Sequence, residues 1–141
     1  MTARMAAGSQ GAMIDVRPVI HAISKLAIVM GVMMAAPAAV DWSAGAASWR
    51  IFAATGAGTA LVAWMVMLAT RHEGRTLTLE QAFLLTSGLW LVLPVIGAMP
   101  IRAAVAGAGF TDAMFEAMSG LSTTGATAFP ELGALSDGVH L

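Results

Sequence analysis

Two long stretches without a single charged residue constrain this chain more than any other feature of its sequence. They run from Ile51 to Thr70 and from Gln81 to Ile101, twenty and twenty-one residues. A helix rises about 1.5 Å per residue, so roughly 20 residues cross the ~30 Å of hydrocarbon in a bilayer. Hydrophobic residues make up 58% of the chain and charged residues 11%, whereas soluble domains are roughly a quarter charged. The sequence therefore predicts an all-α integral membrane protein with transmembrane helices at both stretches.

A third span is predicted from Pro18 to Val40, of which Leu26 to Val40 is uncharged. Lys25 lies about 10 Å into this helix, close enough to its start for the ammonium group to reach the headgroups. A cleaved signal peptide is the alternative, because Lys25 precedes an apolar stretch that ends in the small-residue pattern Ala36-Pro37-Ala38. Both alternatives start the second span from the outer side of the membrane.

The charges of the connecting segments predict the orientation. The arginines of these segments are Arg4, Arg17, Arg50, Arg71, Arg75 and Arg102. Two precede the first span and two lie in the loop 71–75, whereas the other connections carry one each. Because cytoplasmic loops carry the excess of positive residues, we expect the N-terminus and the loop 71–75 to be cytoplasmic. The loop itself is expected to be a solvated turn.

Composition also excludes several classes of function. A net charge of -1 provides no basic surface for nucleic acid. The chain has no cysteine, and its three histidines, His21, His72 and His140, lack the spacing of a metal-ligand pair. Asp112 and Glu116 lie one helical turn apart, but no nucleophile or partner histidine completes a catalytic set. An intramembrane enzyme is therefore disfavoured.

A short helix follows the third span and is too short to cross a bilayer. Thr111 or Asp112 can cap its start, and it is expected to end near Leu121. About ten residues make roughly 15 Å, half a bilayer. Phe115, Met118 and Leu121 form an apolar stripe on this helix. A half-helix followed by irregular chain predicts a re-entrant loop.

The chain after this helix, Ser122-Thr123-Thr124-Gly125-Ala126-Thr127, is named here the 122–127 segment. Irregular backbone at membrane depth is tolerated only where it is buried in protein or lines a watery path. Gly125 permits backbone angles that point successive carbonyls one way, and such carbonyls can replace the hydration shell of a bare cation. The helix directs its negative C-terminal end at this place, which favours a cation. An ordinary Ser/Thr/Gly-rich surface loop remains the alternative.

Two motifs then resemble a known family. They are Gly97-Ala98-Met99-Pro100 and Phe110-Thr111-Asp112-Ala113-Met114-Phe115-Glu116-Ala117-Met118-Ser119-Gly120-Leu121-Ser122-Thr123-Thr124-Gly125-Ala126-Thr127. Together they resemble the first pore repeat of Trk-type potassium uptake proteins, TrkH-like members of the Trk/Ktr/HKT superfamily. The resemblance is close from about residue 76 to 127. Ile101 stands where the family often has an aromatic residue.

The resemblance implies a potassium filter at Thr123, Thr124, Gly125 and Ala126, formed mainly by backbone carbonyls. In related transporters a serine at the position of Gly125 goes with sodium permeation, so glycine implies potassium selectivity. The family further implies potassium uptake across the inner membrane, a homodimer, and a cytoplasmic nucleotide-binding regulatory subunit that is TrkA-like. No cofactor is implied, and potassium is the substrate.

The same resemblance implies the domain organisation: a cytoplasmic leader (1–17), two accessory transmembrane helices with a cytoplasmic loop (18–75), and the first pore repeat (76–141). The repeat is of the M1-P-M2, potassium-channel-like type, with its transmembrane helix at 78–101, pore helix at 111–121 and filter at 122–127, and it is incomplete after 128. We expect the chain to be the first part of a longer protein that supplies three further pore loops. A small non-transporting membrane subunit with an extracellular Thr-rich loop is the alternative function.

Overall fold

Five helices form the part of the chain that the computed structural model describes, which is residues 14–71, 76–105 and 107–128. They are α1 (Arg17–Met33), α2 (Ala35–Ser43), α3 (Trp49–Ala69), α4 (Leu79–Ala104) and α5 (Phe110–Leu121). Three helical stretches are long and apolar enough to cross a membrane: α1 with α2 as one stretch, α3, and α4. The all-α membrane architecture expected from the sequence is confirmed. Residues 1–13 of the leader, residues 72–75 of the loop, and residues 106 and 129–141 lie outside the described residues, and so do His72 and His140.

The first span is longer than the sequence predicts, because α1 and α2 continue to Ser43 instead of ending at Val40. Met34 joins them in helical geometry, and its N–H donates to the carbonyl of Met30 at 3.2 Å. Pro37 explains the interruption. It has no N–H, so the carbonyl of Met33 loses the hydrogen bond that a helix would give it.

The other two spans also shift slightly at their ends. α3 begins two residues before Ile51, and α4 begins at Leu79 instead of Gln81 and extends to Ala104. A capping box fixes the start of α4. Thr78 Oγ1 accepts from the N–H of Gln81 at 3.3 Å, and Gln81 Oε1 accepts from the N–H of Thr78 at 3.0 Å. These two bonds satisfy amides that have no partner within the helix.

The closest helix contact is between α1 and α3, where Gly31 and Gly56 face each other. A Cβ atom on Gly31 would lie 2.8 Å from the carbonyl oxygen of Gly56, and one on Gly56 would lie 2.7 Å from that of Gly31. Small residues let helix backbones approach closely, which is how helices associate in lipid. In the same interface, His21 Nδ1 donates to the carbonyl of Met67 at 3.2 Å. α5 instead packs on α4, with Ala98, Ala113 and Ala117 at the centre of the contact.

A buried carboxylate organises the turn between α2 and α3. Asp41 has no solvent-exposed surface, and its Oδ2 accepts from the hydroxyl of Ser48 at 2.5 Å. The carbonyl of Asp41 accepts from the N–H of Ala46 at 2.9 Å. Side chain and backbone of one residue thus hold two positions of the turn, Ala46 and Ser48.

We expect Asp41→Ala to lower the free energy of unfolding by about 1.5 kcal/mol, because the hydroxyl of Ser48 loses a buried acceptor. Thermal unfolding of the chain in detergent micelles, followed by circular dichroism, measures this. Ser43→Ala is the matched control, since Ser43 is exposed and bonds only the carbonyl of Val40 in its own helix. Equal stability of the two variants would contradict the role of Asp41.

Candidate functional site

The helix before the 122–127 segment starts earlier than expected. Neither Thr111 nor Asp112 is the N-cap; Gly109 holds that position and α5 begins at Phe110. Asp112 lies at the third position of the helix, where its Oδ2 accepts from the N–H of Gly109 at 3.1 Å. Glycine has no side chain to return a second bond, so only this half of a capping box forms. The carboxylate still lies at the positive end of the helix, where it is stabilising.

The face of α5 that packs on the rest of the chain is its small-residue face. Ala113, Ala117 and Ser119 are buried, and Ala113 is completely inaccessible. From the apolar stripe noted in the sequence, Phe115 is 49% exposed and Leu121 39% exposed. The stripe therefore does not carry the contact with α4.

The end of α5 is a Schellman motif, in which two amides beyond the helix bind back to its last turn. The N–H of Thr124 donates to the carbonyl of Ser119 at 3.1 Å, and the N–H of Thr123 donates to that of Gly120 at 3.2 Å. Thr123 has a φ of 55°, the one positive value at a non-glycine residue in the described chain. Left-handed backbone costs an L-residue roughly 1–2 kcal/mol. Strain of this kind is concentrated at functional sites.

Hydroxyl groups hold the first half of the 122–127 segment against the end of α5. Thr124 Oγ1 lies 3.2 Å from Ser119 Oγ and 3.1 Å from Ser122 Oγ. Ser122 Oγ also donates to the carbonyl of Met118 at 2.8 Å, and Thr123 Oγ1 donates to the carbonyl of Ser122 at 2.8 Å. The hydroxyls of Thr123 and Thr124 therefore form hydrogen bonds within the protein, which fixes the start of the segment.

Gly125 lies at the centre of the segment with a φ of 68°. Glycine adopts this left-handed region without steric cost. The carbonyls of Thr123, Thr124, Gly125 and Ala126 accept no hydrogen bond from any residue that the structure describes. All four residues are exposed in this chain. Four consecutive carbonyls are thus available for a cation.

A carboxylate that the sequence did not assign to this segment binds its far end. Glu116 Oε2 accepts from the N–H of Ala128 at 3.0 Å. Glu116 lies in the middle of α5, so the chain turns back beside the helix after Leu121. From the sequence, Glu116 was considered as a partner of Asp112 and not as the acceptor for this amide.

Side-chain metal ligands do not gather anywhere in the described residues. No three His, Asp or Glu side chains of residues 14–71, 76–105 and 107–128 lie close enough to hold an ion. His21 takes part in the contact between α1 and α3. The described residues therefore offer a cation at the 122–127 segment no cluster of charged or imidazole ligands.

Comparison with known proteins shows that this chain is similar to potassium transporters. The crystal structure of the potassium transporter TrkH from Vibrio parahaemolyticus superposes with a TM-score of 0.82 at 28% identity, over 89% of this chain. The Trk system potassium uptake protein TrkH of Halomonas elongata is 27% identical over 126 residues, 89% of this chain. The chain is TrkH-like.

Two further relatives extend the comparison of this TrkH-like chain. The Trk system potassium uptake protein TrkI of Halomonas elongata is 27% identical over 127 residues, 88% of the chain. An uncharacterized cation transporter of Methanocaldococcus jannaschii is 23% identical over 86% of it. No protein-family model matches the sequence. These relatives are transport proteins and not enzymes, as the sequence led us to expect.

The TrkH-like chain is much shorter than these proteins. It spans 26% of the Halomonas TrkH, 25% of TrkI and 27% of the Vibrio chain. The matches therefore cover about a quarter of each relative.

Proposed function

We propose that this chain takes part in potassium uptake across the inner membrane, as a portion of the pore-forming subunit of a Trk-type transporter. Its contribution is one of four filter strands, in which the carbonyls of Thr123, Thr124, Gly125 and Ala126 face the ion. The observation that carries this proposal is the run of four carbonyls without hydrogen bonds in the described chain, directly after the C-terminal end of α5.

Electrostatics favours a cation at this place. The last carbonyls of a helix carry roughly half a negative charge, and α5 ends at Leu121, immediately before the 122–127 segment. Carbonyl oxygens in a ring can replace the water that a potassium ion gives up on entering a pore. The names of the TrkH and TrkI relatives, which are potassium uptake proteins, agree with this ion.

The proposal also defines the roles of the helices. Residues 18–75 are two accessory spans, α4 is the first helix of an M1-P-M2 repeat, and α5 is its pore helix. The N-terminus and the loop 71–75 are cytoplasmic, and residues 1–17 form the leader. A complete pore requires three more such loops, and we propose that the assembled transporter is a homodimer with a cytoplasmic nucleotide-binding regulatory subunit.

Growth on limiting potassium tests this function. The entire reading frame that contains this chain, expressed in a bacterial strain without its own potassium uptake systems, is expected to restore growth. The same frame without residues 122–127 is the control and is expected to fail. No growth with the intact frame, although the protein is found in the membrane fraction, would contradict the proposal.

Cysteine substitutions separate transport from the alternative, a non-transporting subunit with an extracellular loop. The chain has no native cysteine, so single cysteines from position 122 to 127 are introduced into the full reading frame after any cysteines elsewhere in it have been replaced. In a filter, potassium is expected to slow their modification by a bulky external thiol reagent. Fast modification that potassium leaves unchanged would favour the alternative.

A further inference from the structure

The bond between Glu116 and Ala128 connects the middle of α5 to the first residue after the 122–127 segment. Glu116 Oε2 accepts from the N–H of Ala128 at 3.0 Å, across twelve residues of sequence. Glu116 is partly buried and Ala128 is exposed. A carboxylate offers only acceptors, and its hydrogen bonds with backbone amides are among the strong ones in proteins.

The other end of the segment is attached to the same helix. The N–H of Thr124 donates to the carbonyl of Ser119, and its hydroxyl lies 3.2 Å from Ser119 Oγ. Ser119 and Glu116 are three residues apart, so they lie on one face of α5, about 4.5 Å apart along its axis. Two points on one rigid helix therefore hold Thr124 and Ala128.

Only residues 125–127 lie between these two attachments. Gly125 is the residue of this stretch with a positive φ, 68°, and glycine has the greatest backbone freedom of any residue. Fixing both ends of so short a stretch restricts the angles that Gly125 can adopt. The directions of the carbonyls of Thr124, Gly125 and Ala126 then depend on the attachment at Ala128.

We propose that Glu116 is a positioning residue, whose carboxylate sets the carbonyl directions of the 122–127 segment by holding the amide of Ala128. The effect of Glu116 on ion selectivity rests on the proposed function. The effect of Glu116 on the backbone of the 122–127 segment does not. Glu116 acts as a hydrogen-bond acceptor here. Its negative charge is not what the role requires.

Three substitutions separate these roles. Glu116→Gln keeps a side-chain oxygen at the same distance from the backbone and removes the negative charge. Glu116→Ala removes the acceptor for the N–H of Ala128. Asp112→Ala is the matched control, because Asp112 is the other carboxylate of α5 and binds the amide of Gly109 at the opposite end of the helix. All three are compared with the unchanged chain.

The first measurement is amide hydrogen exchange at Ala128, by NMR of the labelled chain in detergent micelles. Glu116→Ala is expected to speed exchange by roughly tenfold, the effect of losing one charge-assisted hydrogen bond. Asp112→Ala is expected to stay within about twofold of the unchanged chain, and Glu116→Gln, which keeps a neutral and weaker acceptor, to lie between Asp112→Ala and Glu116→Ala. Unchanged exchange in Glu116→Ala would overturn the proposal, whatever the transport results.

The second measurement is the potassium-to-sodium permeability ratio of the full reading frame in proteoliposomes. Glu116→Ala is expected to lower the ratio several-fold, while Glu116→Gln and Asp112→Ala keep it. Equal losses in Glu116→Gln and Glu116→Ala would show that the charge matters and would overturn positioning. Absence of potassium flux in the unchanged protein would contradict the proposed function alone, since the exchange experiment decides positioning independently.

Discussion

Replacing Gly125 with serine is expected to lower the potassium-to-sodium permeability ratio by roughly tenfold, the equivalent of about 1.4 kcal/mol. Gly125 has a φ of 68°, a conformation that costs an L-residue roughly 1–2 kcal/mol. Apart from its two chain neighbours, no described residue has an atom within 4 Å of a Cβ added at Gly125. The serine therefore fits in the space available, and its effect comes from a backbone that relaxes and turns the neighbouring carbonyls.

Gly120→Ser is the matched control for this experiment. Gly120 also has no atom within 4 Å of an added Cβ, but it lies in the last turn of α5 with ordinary helical backbone. Reversal potentials in potassium and sodium gradients, measured on the full reading frame in a bilayer, give the ratio for both variants. An unchanged ratio in Gly125→Ser, or the same loss in Gly120→Ser, would count against Gly125 as part of a filter.

The membrane spans could be predicted because length and lack of charge are properties of the sequence itself. The ends of the helices could not be predicted in this way, because they depend on capping hydrogen bonds and hydropathy carries no information about these. α4 begins where Thr78 and Gln81 cap it, and α5 begins after Gly109 because Asp112 binds its amide. Shifts of a few residues at each end follow from such caps.

Helix packing was harder to predict for a physical reason. In water, an apolar stripe identifies the buried face of a helix, but lipid is as apolar as leucine and removes that signal. Ala113 and Ala117 therefore pack on α4 while Phe115 stays half exposed. Small residues alone do not identify the contacts either: Ala54 is exposed and nothing lies within 4 Å of a Cβ on Gly58, whereas a Cβ on Gly97 would lie 3.2 Å from the Cβ of Ala117.

The candidate site was predicted in part. Gly125 was chosen from the sequence for its backbone freedom, and it adopts a positive φ. The positive φ of Thr123 was not expected, since a β-branched residue is disfavoured there; the Schellman bonds and the hydroxyl bonds of Thr123 and Thr124 hold it. The bond between Glu116 and Ala128 could not be predicted either, because it depends on how the chain turns back after α5.

The interface between α1 and α3 is where a single substitution should destabilise the fold most. Gly31→Leu is expected to lower the free energy of unfolding by about 3 kcal/mol, the upper part of the usual range for overpacking. The added Cβ would lie 2.8 Å from the carbonyl oxygen of Gly56 and 3.0 Å from the backbone nitrogen of Ala60. Both are backbone atoms, which cannot rotate away, so the two helices must separate.

Gly58→Leu provides the comparison, because it adds the same side chain to α3 at a position with no atom within 4 Å of the new Cβ. Leucine favours helix over glycine by roughly 0.8 kcal/mol, so this variant should be at least as stable as the unchanged chain. Denaturation in mixed micelles, followed by circular dichroism, measures both. If α1 and α3 pack through Gly31 and Gly56, only Gly31→Leu unfolds at a lower denaturant concentration than the unchanged chain. Equal stability of the two variants would mean that this contact does not hold the helices together.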